Sequence, residues 1–541
     1  MDRSTLWKSV LLVFFTIGAA PVAPLSPWAN LSDPVFTHID SSGLPEPSVT
    51  GVVQDSQGFM WVINGSGIAR FDGYRFKVYW PIENDPTGLP KGGINILLAD
   101  PRGGLWMGGN SSGLIHYDSR ADAFHVWRPN APHHTGPLST SIAALALDGN
   151  GRLWIGGTSG VERFDPASQR FTPFRLPGAS AGVNAASILV DHGGTVWVAT
   201  SLDGLYRLTP GSRGFTRFPL PMFQAGKAQL NTLFEDRESR LWIGGFQELF
   251  MVDRARRNVV RLIAGNDPGS LAPGAENTFA EPRPGEIWVG ASRQVIDVID
   301  SSTMHVRRIV ADPENPSGLP NGQVLQFLRD RSGLLWIATQ QGLLVQNPAG
   351  RGISTISTTR ADLGLRGRQI SALTYAPDGS LIAAYSFAEA GSVTRFDPIA
   401  GPQHLDLPDA NVQSVYALAA APDGTIWIGG TDGVCRWKPG NAAVCPAKPK
   451  ALRDARVNSI LFRGGTLYIG MVTGLLVFNP STGATTTFHQ GNGPKSLSND
   501  FVGIAYPDRA GRIWLGTASG LDRLDPKTGR ILQFVNNPND P

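Results

Sequence analysis

The chain is short of cysteine, of charge and of long apolar runs, and each shortage closes off a class of explanation. Two cysteines in 541 residues cannot supply a disulfide framework or a Cys-based zinc site. Charged residues are 17% of the chain, against a usual value of about 25%. The 47 Lys+Arg and 44 Asp+Glu leave a net charge of +3 with the signs interspersed, so there is no basic stripe for nucleic acid. Neither a phosphate-binding Gly-x4-Gly-Lys-(Ser/Thr) nor a His-Glu-x-x-His occurs, and no cofactor or metal is expected. Past residue 20 no apolar run is long enough for a membrane span.

What the chain does contain is a period. The phrase Asp-x-x-Gly-x-x-Trp-(Ile/Val/Leu/Met), followed by a Gly-rich turn and often by Arg-Phe-Asp, returns at spacings of 41 to 48 residues. Its anchor position holds Trp61, Trp106, Trp154, Trp197, Trp242, Trp288, Trp336, Ile382, Trp427, Tyr468 and Trp514. An Asp stands six residues earlier at Asp55, Asp100, Asp148, Asp191, Asp236, Asp330 and Asp508. A period of this length marks a repeat architecture.

The third unit shows how one repeat folds. Ile142 to Leu147 is a mostly apolar strand, and Asp148-Gly-Asn-Gly151 is a turn in which Asp bonds the backbone ahead while Gly supplies positive φ. Arg152 to Gly157, Val161 to Asp165 and Phe171 to Arg175 follow as three more strands, the last alternating as an exposed outer strand does. A four-stranded meander of about 45 residues is a propeller blade. The fold expected is therefore an all-β β-propeller of about eleven four-stranded blades. The Trp column is expected to fill the wedges between blades, and the glycine pairs after it (Gly108-Gly109, Gly156-Gly157) to let inner strands crowd the axis.

Closed propellers have about four to eight blades, so eleven units imply more than one ring. Units 8 to 10 lose the Asp, and two of those three lose the indole, which places a change of ring near Gly350 to Arg368. The expected division is a leader over residues 1–29, a seven-bladed propeller over 30–355, and four blades of an incomplete second propeller over 356–541. Val35-Phe-Thr-His-Ile39 reads as an outer strand without a blade of its own, suited to closing a ring as a clasp. Asn539-Asp-Pro541 repeats the start of the inter-blade connector Asn84-Asp-Pro-Thr-Gly-Leu-Pro90, so the chain is expected to be a fragment.

Arg3 and Lys8 followed by the apolar Val10 to Ala20 form an export signal. Pro21 and Pro24 spoil the obvious cleavage sites, so an uncleaved anchor in the membrane is the alternative. Either way the propeller is expected to be periplasmic. Cys435 and Cys445 flank Lys438-Pro-Gly-Asn441, a turn between two strands, and a disulfide is expected there; a pair of buried thiols is the alternative.

Loops between the second and third strands of each blade should converge on one mouth of the channel. They offer Asn64, Asn110, Thr158, Ser201, Asp203, Phe246, Gln247, Arg293, Gln340 and Gln341. Amides and a guanidinium around an aromatic suit a polyhydroxylated or acidic sugar, although ordinary polar turn residues would look the same. Trp80, Trp127 and Arg128 are secondary candidates. Gly109-Asn-Ser-Ser-Gly113 matches the nucleophile-elbow pattern but lies between strands, where no helix follows. His133-His134, in a long loop, reads as an exposed pair rather than a metal site.

The units Gly43 to Val62, Asp330 to Leu343 and Asp508 to Leu521 closely resemble the two-component-regulator propeller repeat, and the resemblance extends over residues 35 to 535. It implies a periplasmic sensor region of a hybrid histidine kinase or a diguanylate cyclase. It also implies an oligosaccharide or other small extracellular ligand, homodimerisation, and an output domain outside these residues. On that reading the chain itself is no enzyme. A propeller glycoside hydrolase or polysaccharide lyase and a protein-binding scaffold are the alternatives.

Overall fold

The computed structural model describes residues 34–535 except 66, 83–84, 130–134, 181, 222, 224–228, 266, 268, 275, 292, 314, 349–368, 386–391, 398–400, 408–413, 432, 446–451 and 453–455. The leader over 1–29, the boundary expected at 355/356 and His133-His134 lie outside the described residues. The described strands form eleven antiparallel sheets. Ten have four strands. The ninth has Val415–Ala420, Ile426–Gly430 and Gly433–Trp437, with an isolated bridge from Arg436 to Val444 in place of a fourth strand.

The chain divides into two compact units, Asp33–Asp362 with seven sheets and Leu363–Pro541 with four. In the first unit the innermost strands Gly51–Gln54, Ile94–Ala99, Ile142–Leu147, Ala185–Val190, Leu230–Glu235, Glu276–Arg283 and Val324–Arg329 touch in chain order. The seventh also touches the first, which makes the circuit closed. Thr37–His38 supplies the fourth strand of the seventh sheet by pairing with Leu344 and Val345. Phe36 anchors that strand: its N–H reaches the Ser317 carbonyl at 2.9 Å. Its ring, 2% exposed, meets Trp288 edge-on at 6.3 Å.

The repeat phrase encodes its own packing. In sheets 1, 5 and 7 one carboxylate oxygen of the Asp accepts N–H bonds from the residues two and four ahead, which builds the turn. The other oxygen accepts the indole N–H six residues on, at 2.8 Å for Asp55 and Trp61, 2.7 Å for Asp236 and Trp242, and 2.8 Å for Asp330 and Trp336. Asp191 and Trp197, and Asp508 and Trp514, repeat the indole bond. A buried indole costs little only when its N–H has an acceptor, so the six-residue spacing joins turn to wedge. Unit 6 lacks the Asp, and there Glu286, two residues before Trp288, accepts the indole N–H at 2.6 Å.

The glycine after the Trp-hydrophobe pair has a different task from the one expected. A Cβ on Gly108 would lie 2.6 Å from Ile142 of the next sheet, and one on Gly429 would lie 2.4 Å from Val457. The crowding is therefore between neighbouring sheets, where the inner strand of one abuts the second strand of the other.

A second device links sheets at the turns that follow the innermost strands. The Glu235 carboxylate accepts the His192 N–H, that of Glu281 accepts the Arg237 N–H, both at 2.8 Å, and the Gln54 amide oxygen accepts the Arg331 N–H at 3.0 Å. The last of these joins the seventh sheet to the first, so the same link that spaces neighbours also closes the circuit.

Candidate functional site

The turns between second and third strands are hung on one recurring bond. The residue just past the second strand donates its N–H to the carbonyl just ahead of the first: Asn110 to Gly93, Thr158 to Ser141, Ser201 to Asn184, Phe246 to Gln229 and Gln340 to Gln323. This holds the turns of the seven-sheet unit at the end where its innermost strands begin. Backbone geometry thus recurs in these five sheets while the side chains differ.

The rim residues fall into three groups. Asn64 is 1% exposed. Its amide nitrogen donates to the Glu46 and Ser48 carbonyls at 2.7 Å, and its oxygen accepts the Glu46 N–H. It pins the connector and presents nothing to a ligand, because the connector folds back over the site that its counterparts leave open. A second group is tied into short polar chains. Asn95 donates to Ser141, and Ser141 to Asn110. Asn184 donates to Ser201, Ser180 to Asp203, and the Gln340 amide to Gln323. The third group stands clear. Gln247, Arg293 and Gln341 are exposed with no side-chain partner among the described residues, and Phe246 is 51% exposed. Gln247 holds φ of 61° while its N–H meets the Gly274 carbonyl at 2.6 Å, so its turn is fixed even though its side chain is free.

Among the secondary candidates, Trp80 is 50% exposed. Trp127 is half-buried against Trp106 and Phe164, and Arg128 is exposed.

The opposite end carries two clefts that the repeat reading passed over. One, of about 550 Å³, is lined by Phe234, Phe279 and Phe327 with His192, Arg237 and Arg329. Its carboxylates Glu235 and Glu281 are engaged by the inter-sheet links described above. The other, of about 460 Å³, lies between sheets 2 and 3 over Trp106, Trp127 and Phe164. Burial alone would raise the Asp100 carboxyl, but hydrogen bonds from His116 and from the Arg102 backbone, with the Arg102 charge, hold it at about 2. The sequence signal for this cleft was His116 itself, in a His-Tyr-Asp where other units have Arg-Phe-Asp.

Ser111 of the elbow-like pattern lies between the strands Leu105–Gly109 and Leu114–Asp118, with no helix behind it. Burial pushes the Glu162 carboxyl up to about 7 against the one N–H it accepts, from Leu138. Glu162 is, however, 2% exposed and lines neither cleft.

Comparison with known proteins places the fold. Residues 318–341 match the family model described as two component regulator propeller. No curated protein matches the chain. Among solved structures, the extracellular domain of B. thetaiotaomicron BT3049, a protein assigned as a hybrid two component system, aligns at 18% identity and TM-score 0.64. That alignment covers 93% of this chain and 67% of that one. The extracellular domain of BT4673 from the same organism, likewise assigned as a hybrid two component system, aligns at 19% identity and TM-score 0.50, over 93% and 67% of the two chains. The Niastella koreensis GH74 enzyme aligns at 12% identity and TM-score 0.42, over 92% and 86%, a level of likeness that carries no functional weight. The period, the eleven antiparallel sheets and the match at residues 318–341 together make this chain a β-propeller that carries a two component regulator propeller repeat.

Proposed function

We propose that this chain is the extracytoplasmic ligand-sensing propeller of a two-component-type signalling protein, and that it binds an oligosaccharide without turning it over. The observation that carries the reading is the rim of the seven-sheet unit. One backbone bond holds the turn in five of the seven sheets, and the side chains around the rim include an exposed phenyl ring, free amides and a free guanidinium. Such a set stacks on a sugar ring and bonds its hydroxyls. A sensor needs ligand binding coupled to a change in population between states, not chemistry, and the acids near the clefts are occupied by structural bonds. The extracellular origin of the two similar structures supports placement outside the cytoplasm.

The test is a thermal-shift screen of residues 30–541 against plant and host oligosaccharides, with reducing-end analysis of each hit. Stabilisation by a sugar recovered intact, lost in Phe246→Ala and Arg293→Ala, supports the reading. Cleaved sugar would establish an enzyme, and a stabilising sugar indifferent to both substitutions would move the site away from this rim.

A further inference from the structure

The Trp faces in five sheets are covered by a guanidinium. Arg70 lies 5.9 Å from the Trp61 ring centre, Arg163 5.6 Å from Trp154, Arg256 5.4 Å from Trp197, Arg240 6.0 Å from Trp242 and Arg523 5.7 Å from Trp514. Arg70, Arg163 and Arg523 hold the same place on the third strand, directly across from the Trp. In sheet 2 that place is His116. Its imidazole lies 4.2 Å from the Trp106 ring, tilted 47° to it, and turns Nε2 to Asp100 Oδ2 at 3.2 Å. The shorter side chain leaves open the volume an arginine occupies elsewhere, and the cleft of about 460 Å³ is there.

The walls of this cleft have a consistent chemistry. Trp127 is half-buried and backs onto Phe164 at 5.0 Å, giving one flat side. At the mouth, Arg102 uses only Nε on Asp100, at 3.3 Å. Its terminal nitrogens, the whole Arg120 guanidinium and the Gln169 amide have no partner among the described residues. The Asp100 carboxylate is already taken by His116 and Arg102, and Asp118 accepts the Arg120 backbone N–H at 2.8 Å. The open acceptors are the second Asp118 oxygen, beside the Arg120 charge, and the Gln169 amide oxygen; the open donors outnumber them, and two are planar forks that match a carboxylate bidentately, beside a ring that accepts stacking.

We propose that the cleft between sheets 2 and 3 is a binding site for a small ring-bearing carboxylate, with Arg102 and Arg120 holding the carboxylate and Trp127 and His116 flanking the ring. This site lies at the opposite end of the sheets from the rim and stands whether or not the rim binds a sugar. The carboxylate can come from a sugar acid or an aromatic acid, so both are probes. Calorimetric titration of residues 30–541 with galacturonate and with 4-hydroxybenzoate, each beside its uncharged counterpart (galactose and 4-hydroxybenzyl alcohol), separates the sources.

The expected result is that at least one acid binds, about tenfold or more tighter than its neutral partner. His116→Arg restores the residue that fills this place in sheets 1, 3 and 11. It is expected to abolish binding and to leave the far-ultraviolet spectrum and the unfolding midpoint unchanged. The Arg102→Ala/Arg120→Ala double variant, at exposed positions, is expected to remove the preference for the acid and decides the matter if His116→Arg misfolds. Binding of neither acid, equal binding of acid and neutral partner, or binding that survives in the double variant would overturn the proposal. Phe246→Ala, which alters only the rim, is expected to leave this titration unchanged, so failure of the two sites is read separately.

Discussion

The two units are built from the same repeat, yet the seven-sheet unit hides its innermost strands against one another all the way round, and the four-sheet unit does not. In the latter the inner strands Ile370–Tyr375, Val415–Ala420, Val457–Arg463 and Val502–Pro507 touch in chain order, as an open series among the described residues. The two outer members of that series carry exposed apolar side chains: Ile370, Leu373 and Tyr375 at one end, and Ile504 and Tyr506 at the other. Their counterparts in the closed circuit, such as Val52 and Val53 in sheet 1, are buried. Indole bonding follows the same line. Within the closed circuit five of seven Trp anchors have an acidic acceptor, whereas in the open series only Trp514 does, and the Trp427 N–H is left without one. Closure therefore depends on each sheet presenting the same wedge to the next, and the repeat phrase is kept most strictly where that demand applies twice to every sheet.

The sharpest way to break the comparison is at the clasp. Phe36 belongs to no sheet of its own, yet it is buried with Trp288, Ile309, Leu319 and Phe327. Phe36→Ala should destabilise the seven-sheet unit by about 3–5 kcal/mol, the usual cost of emptying an aromatic site in a core. Hydrogen exchange resolved by segment should show faster exchange in Val324–Gln346 and in Gly51–Asn64, the two flanks of the closure, with none in Val457–Phe488. Protection lost uniformly in both units would mean they do not unfold separately.

Much of this was legible because the period repeats the same physical problem eleven times. Trp61 and its counterparts, the turns at Asp55 and Asp330, and the outer strand at Val35 to Ile39 all follow from spacing and alternation. What spacing does not show is which oxygen of an Asp goes where. The bond from Trp242 to Asp236 was invisible because the turn alone already accounted for the Asp, although the constant six-residue offset was its trace. Asn64 looked like Asn110, and the difference lies in a connector, Glu46 to Ser48, that closes over one and not the other. The sheet 2 cleft goes with His116 at the place where sheets 1, 3 and 11 have Arg, and the effect of that exchange is a volume. A volume is a property of neighbours in space, so only the packed structure displays it.

Depressed carboxyls occur in both units, but the raised ones among the described residues lie in the seven-sheet unit. In the seven-sheet unit, burial raises Glu162 from its ordinary 4.5 to about 7, and also raises Asp297 although Arg308 opposes it. The unfolded chain releases the Glu162 proton near 4.5 while the folded chain keeps it until about 7. Stability should therefore fall as pH rises through that interval, by on the order of 3 kcal/mol, and level off above it. Glu162→Gln, which keeps an acceptor for the Leu138 N–H, should flatten most of the slope, leaving the Asp297 part. In the four-sheet unit Asp378 is held at about 2, chiefly by the Ser380 hydroxyl and backbone N–H with Arg395 adding to them. A depressed carboxyl gives its stabilisation above pH 4 and loses it as pH drops toward 2. Denaturant melts followed from pH 2 to 9 should show the acid loss in both units and the loss between pH 4.5 and 7 in the seven-sheet unit alone; a loss in that upper interval shared by both units would contradict the assignment of Glu162.

The smallest expected effect sharpens the comparison from the open side. Among the described residues sheet 9 has three strands and one bridge, Arg436 to Val444, where the others have a fourth strand. The structure joins Cys435 to Cys445 beside that bridge, with their Cα atoms 4.5 Å apart, and the Trp437 indole donates to the Asn441 carbonyl inside the loop so closed. A covalent closure of this span removes unfolded-state entropy equivalent to about 2–3 kcal/mol, which offsets the missing ladder bonds at the place where the sheet is thinnest. Cys435→Ser/Cys445→Ser should lower the unfolding midpoint of the four-sheet unit alone, and reductant should do the same to the wild type while leaving the variant unmoved. A midpoint that reductant leaves unchanged in the wild type would mean the bridge compensates for nothing, and the weak fourth edge of sheet 9 would have to be held by the apolar contacts of Trp437 and Ala443.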